Sequence, residues 1–371
     1  MNGTRLTAVP ILLVVVVALV TGLLTGLLRI GWTMPPVVAE RIGLHGPLLA
    51  AGFLGTLIAL ERAVAMSGVT GRRWGPAWLA PLAGAAGTAA LLIWGATPVA
   101  QSLLLAGAAG LLAVNLVMLR MHPTLDVLVM ALGAGFLVLA DAAWLAGRPI
   151  PLLVHWWMAF LVLTIVGERI ELARMRILDR TAVALFAIVV GGYVISQLLI
   201  AVGADLGIRL SGAGMIAMAA WLLRYDIAWL TIRRPGLPAF VATCLLAGFG
   251  WLAVGGAIAL ASGLVWAGPT YDALLHAVLV GFVFSMILGH APIIVPALLG
   301  LRIGYHPIAY APLVLLQLSV AMRIAGDLRG AQDLRMMGGL LAALAILGYA
   351  VVLVVMVALG RRGRRVVTRG A

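Results

Sequence analysis

Tyr271-Asp272-Ala-Leu-Leu-His276-Ala-Val-Leu-Val-Gly281-Phe-Val-Phe-Ser-Met286-Ile-Leu-Gly289-His290-Ala-Pro292 contains a single carboxylate and no basic side chain other than its two imidazoles. A helix needs roughly 20 predominantly apolar residues to cross the hydrocarbon core of a bilayer, so this stretch reads as a membrane crossing. Runs of the same kind fill the chain. Of its 371 residues 64% are hydrophobic and 10% charged, and the mean hydropathy is +1.17, against an apolar share of about half in soluble domains. Spans are expected at about 9–30, 44–66, 76–95, 99–119, 125–146, 150–170, 181–202, 208–230, 238–262, 271–297, 307–324 and 336–359. The fold class is therefore all-α, a polytopic membrane protein of twelve helices. Residues 1–371 form one integral membrane domain, and no soluble domain of any size is left over.

Charge sets the expected orientation. All 25 basic residues are arginine, and with the N-terminus inside, 18 fall on the cytoplasmic side and 7 on the other. That bias is the positive-inside rule. It places both termini in the cytoplasm of a bacterial inner membrane, and it makes 361–371 a basic cytoplasmic tail facing anionic lipid. The net charge of +13 thus follows the bilayer and does not imply nucleic acid. The first span is longer than a signal-peptide core and lacks a clean cleavage site, so it reads as a retained helix. Cys244, the one cysteine, excludes a disulfide framework and any CxxC motif.

Within this frame three histidines stand out. His45, His155 and His276 each lie near the start of a span, the second, sixth and tenth, so with alternating crossings all three enter from the outer side. Span two ends Leu60-Glu61-Arg62 and span six ends Gly167-Glu168-Arg169, which suggests three four-helix units. Intramembrane ionisable residues are costly and usually functional, and imidazoles at matched depth suit a haem or a metal. In span ten, His290 follows His276 by 14 residues, which on a regular α-helix leaves them within ~40° of one face and ~21 Å apart. A two-haem arrangement would need a second helix with the same pair. Ala59 and Arg169 occupy those places in spans two and six, leaving Met66 or Met286 as substitutes.

The outer level is better supplied. His45 and His276 are the candidate axial ligands, from the kind of helices that hold cofactors in bundles. Asp272, one turn before His276, is placed to fix its tautomer. Arg41, one turn before His45, and Arg323, at the outer end of span eleven, are candidate partners of haem propionates. His155, followed by Trp156 and Trp157, lines the distal side, holds a second metal, or bonds a carbonyl. A competing reading gives each histidine an interfacial or packing role, with Trp and Tyr in an aromatic belt. His122 and His306 each precede a proline and read as structural. Glu61 and Glu168 read as local ion-pair partners of the adjacent arginines, and Asp126 and Asp141 as interfacial carboxylates. The 45 glycines allow close helix packing, and no phosphate-loop, HExxH or nucleophile-elbow motif is present.

His45-Gly-Pro-Leu-Leu-Ala-Ala-Gly52-Phe53 and His276-Ala-Val-Leu-Val-Gly281 through Met286 resemble segments of the NnrS family, haem- and copper-containing bacterial membrane proteins associated with nitric oxide response. The layout of twelve spans with histidines on two, six and ten also resembles the haem-copper oxidase catalytic subunit. The resemblance implies haem b, and implies copper only weakly. Span seven offers Tyr193, Ser196 and Gln197 where an oxidase-type copper site needs histidines, and only His276 stands near the start of span ten. The expectation is a haem protein of the inner membrane linked to nitric oxide response or electron transfer, with nitric oxide or a redox partner as its counterpart. A full dinuclear centre is not expected. A multi-spanning transporter and a cofactor-free scaffold are the alternatives.

Overall fold

The computed structural model describes residues 2–71, 75–173, 178–299, 301 and 303–367. Among them twelve helices are long and apolar enough to cross a membrane: α1 (Ala8–Arg29), α2 (Ile42–Thr70), α3 (Pro76–Trp94), α4 (Pro98–Met121), α5 (Leu125–Leu145), α6 (Ile150–Leu172), α7 (Arg180–Ala201), α8 (Asp205–Tyr225), α9 (Leu237–Ser262), α10 (Pro269–Pro296), α11 (Pro307–Arg329) and α12 (Gln332–Gly360). No strand occurs among the described residues. The chain is an all-α, multi-pass membrane protein, as its hydropathy predicts. The arginines at 72, 73, 174, 176 and 302, and the side chains of the basic tail 361–371, lie outside the described residues.

Helix ends follow local chemistry. Thr97 accepts from Ala100 N at 3.3 Å ahead of Pro98, and Asp179 accepts from Ala182 N at 2.6 Å, the side-chain caps that open α4 and α7. The hydropathy run expected to carry span eight to 230 overshoots. Asp226 turns out of the helix with ψ 148° and its carboxylate accepts from Ala228 N at 2.8 Å, so α8 stops at Tyr225. Span eleven runs the other way. It continues past the expected residue 324 to Arg329, with Asp327 in that extra turn paired to Arg323 and Arg335.

The chain divides into two compact units, Met1–Glu171 and Leu172–Ala371, which hold α1–α6 and α7–α12. The suggested repeat of four helices is therefore not the unit of packing. In unit one α4 lies along both α3 and α5, and α1 packs on α2 and α3. In unit two α8 runs beside α7 and α9, α10 is held by α9 and α11, and α11 and α12 form a long hairpin. The turn of that hairpin is Gly330, whose φ of +67° suits glycine best.

Two crossings depart from α geometry. In α2 the segment Leu48–Gly55 is π-helical, and in α10 so is Ala277–Phe284. Both carry Gly-Phe at their fifth and sixth positions, Gly52-Phe53 and Gly281-Phe282, and both are followed by a buried hydroxyl residue, Thr56 or Ser285. Single π turns inside α-helices frequently mark functional sites. Here each follows within three residues of a histidine that the sequence singles out.

Candidate functional site

His45 opens α2 with its ring against α1. Its Nδ1 lies 2.7 Å from the Gly22 carbonyl oxygen. A carbonyl can only accept, so Nδ1 carries the proton and the neutral ring keeps its lone pair on Nε2, the form that ligates a metal. The ring occupies the place where α1 lacks a side chain: a Cβ on Gly26 would fall 2.6 Å from the His45 Cε1 and 2.9 Å from its Nδ1. Arg41 donates from Nε to Leu92 O at 3.0 Å and from Nη1 to Val37 O at 2.7 Å. It ties the approach to α2 onto the end of α3, so its guanidinium is already engaged with backbone carbonyls.

His276 is anchored within its own helix. Its Nδ1 donates to the main-chain oxygen of Asp272 at 2.7 Å. Asp272 thus meets the ring through its carbonyl and not through the carboxylate expected to orient it. The carboxylate is committed elsewhere. Its Oδ2 accepts from Arg323 Nη2 at 3.1 Å and from Arg335 Nη2. Asp327 completes the ring, accepting from Arg323 Nε at 3.1 Å through Oδ2 and from Arg335 Nε through Oδ1. Two carboxylates and two guanidiniums thus alternate in a closed loop linking α10, α11 and α12. The Asp327 side chain is 0% exposed and that of Arg323 6%, and charges so buried persist only when paired and hydrogen-bonded. The expected propionate partner Arg323 is therefore bound to two protein carboxylates. Ala273, Ala277, Val320 and Ile324 pack beside the loop under Trp251.

His290 has the same anchor, Nδ1 to Met286 O at 2.7 Å. The angular relation expected between it and His276 assumes a regular α-helix, whereas the π segment Ala277–Phe284 lies between them. His155 is fully buried on α6. Two residues on, Trp157 Nε1 donates to Asp141 Oδ1 at 2.9 Å and its ring meets Trp144 edge-on, with centroids 5.9 Å apart. Asp141 is thus a buried carboxyl and not the interfacial one expected. At the other end of α6, Glu168 accepts from Arg62 Nη2 at 2.5 Å. This pair joins α2 to α6, where only local pairing was expected.

The sequence reading missed two residues. Arg335 closes the charge loop, and the two-residue connection between α11 and α12 could have revealed it, since such a hairpin must bring residues near its ends together. Gln317 accepts from Trp251 Nε1 at 2.6 Å and donates to Ser285 Oγ at 3.0 Å. It thereby braces α9, α10 and α11 around the end of the π segment. The candidate ligands are distributed as His45 and His155 in unit one and His276 and His290 in unit two. Among the described residues no group of three or more His, Cys, Asp or Glu side chains comes together to hold a metal ion.

A family model described as Domain of unknown function (DUF8744) matches residues 7–358. No curated protein and no solved structure matches the chain.

Proposed function

We propose that this chain, which belongs to the DUF8744 family, is an inner-membrane b-type haem protein. His45 and His276 are its iron ligands, and its role lies in nitric oxide response or electron transfer, as the NnrS-like segments imply. The observation that carries this reading is the anchoring of both rings. Each Nδ1 donates to a main-chain carbonyl, Gly22 O or Asp272 O, which fixes the tautomer with Nε2 as the ligating atom, as outer-shell partners of metal-binding histidines do. A π segment begins within three residues of each. The donors described fit a haem iron, which needs no more than two imidazoles, better than a copper centre, which needs a cluster of them.

Haem would supply one-electron or diatomic-gas chemistry. The protein's part is to hold the two rings, through the Gly26 recess for His45 and the helical carbonyl for His276. The arginine bias supports an orientation with the start of α2 and α10 on the periplasmic side and both termini in the cytoplasm. The test is the absorption spectrum of protein purified from haem-replete cells, before and after dithionite. A Soret band with a b-type reduced spectrum is expected, and its absence overturns the reading.

The division into six helices and six favours one other reading. Secondary transporters are built from such halves and use interrupted helices, and α2 and α10 are both interrupted. Solute uptake into proteoliposomes by haem-free protein would support it.

A further inference from the structure

Unit one contains a narrow slot of about 10 Å³ bounded by α2, α3, α4 and α5, room for roughly one water molecule. Its walls are alanine, glycine and leucine except for two polar side chains, Thr56 and Asp141. The slot runs along α2 from Ala51, inside the π segment, to Ala59. Asp141 is 1% exposed. Among the described residues its carboxyl receives one hydrogen bond, from Trp157 Nε1 at 2.9 Å, and no cation lies within ion-pair distance. A buried carboxylate with one neutral donor and no counter-ion is far costlier than the neutral acid. The slot residues from α2, α3 and α4 include no ionisable group. The nearest charges along α2, Glu61 and Arg62, follow Ala59, and Arg62 is spent on Glu168 of α6.

We propose that Asp141 is a proton-binding site, a carboxylic acid that exchanges its proton with a water molecule held in the slot beside Thr56. Trp157 N–H occupies Oδ1, which leaves the hydroxyl on Oδ2 to donate into the slot. There the water passes its own hydrogen bond to Thr56 Oγ1, which lies 3.4 Å from Thr88 Oγ1. Exchange breaks the Oδ2–H bond and forms an O–H bond on the water, and the reverse transfer restores the acid, with no electron moved. An intramembrane acid kept in this state is a functional site by default. This one is independent of haem, because its water, its hydroxyl and its carboxyl all lie in the slot of unit one.

Infrared spectroscopy of the full-length protein in lipid reads this directly. The wild type is expected to show a carboxylic-acid C=O band at neutral pH that moves down in deuterated water and is lost in Asp141→Asn. In Trp157→Phe, which removes the hydrogen bond to Oδ1, the band should move up. In Ala59→Leu, which fills the slot, the deuterium shift should slow. A wild-type spectrum identical to that of Asp141→Asn overturns the proposal, as does a band unmoved by Trp157→Phe. A deuterium shift as fast in Ala59→Leu as in wild type overturns the part played by the slot water. If Asp141→Asn does not fold, the Trp157→Phe band alone decides.

Discussion

The two candidate ligands are held by opposite means. His45 is fixed by tertiary packing: its partner carbonyl is 23 residues away on α1, and its ring fills a recess that exists only because residue 26 is glycine. His276 is fixed by its own helix, through the carbonyl four residues earlier, and the residue that supplies it, Asp272, belongs to a closed loop of four charges. The first arrangement depends on the shape of a recess, and the second on a helix turn that charge pairs tie to α11 and α12. Each should therefore fail under a different perturbation.

The largest effect is expected on the charge side. Arg323→Ala leaves Asp327 buried with one guanidinium, and breaking a buried ion pair from one side costs about 3–5 kcal/mol. Thermal unfolding in detergent should show a large drop in midpoint, with the double change Arg323→Leu/Asp327→Leu recovering part of it. Next comes shape. Gly26→Ala pushes a Cβ into the His45 ring, for about 1–3 kcal/mol of overpacking, whereas Gly43→Ala, whose added Cβ meets nothing within 4 Å, should leave the midpoint unchanged. The same pair should also separate in spectroscopy, with Gly26→Ala altering any haem spectrum and Gly43→Ala leaving it intact. A smaller loss follows Trp251→Phe, which removes the hydrogen bond to Gln317 at about 1 kcal/mol. The smallest belongs to Glu40→Gln, since that carboxylate is exposed and 3.9 Å from Arg41, and surface pairs contribute about 0–1 kcal/mol. A midpoint lower for Gly26→Ala than for Arg323→Ala would reverse the comparison.

The same contrast explains what the sequence made legible. Twelve crossings are visible because each needs a long apolar window, and hydropathy reports that directly. Asp272 beside His276 is visible because both lie on one helix, a turn apart. The recess for His45 is not, since nothing in residues 41–66 indicates which carbonyl or which glycine of another span will meet the ring. The π segments are invisible for a different reason: hydropathy is blind to whether a carbonyl pairs four or five residues ahead. Arg323 looks available in one dimension, and only the packing of α11 against α10 shows that Asp272 and Asp327 already claim it. Asp141 looks interfacial by its distance along α5, yet the packing of α6 buries it under Trp157.

The most direct test of the central claim compares three preparations, wild type, His45→Ala and His276→Ala, by dithionite-reduced minus oxidised absorption at equal protein concentration. If both rings ligate one iron, the wild type shows a b-type difference spectrum, and each variant loses or visibly alters it while remaining folded. A haem spectrum unchanged in both variants, or no haem in any of the three, would contradict the assignment.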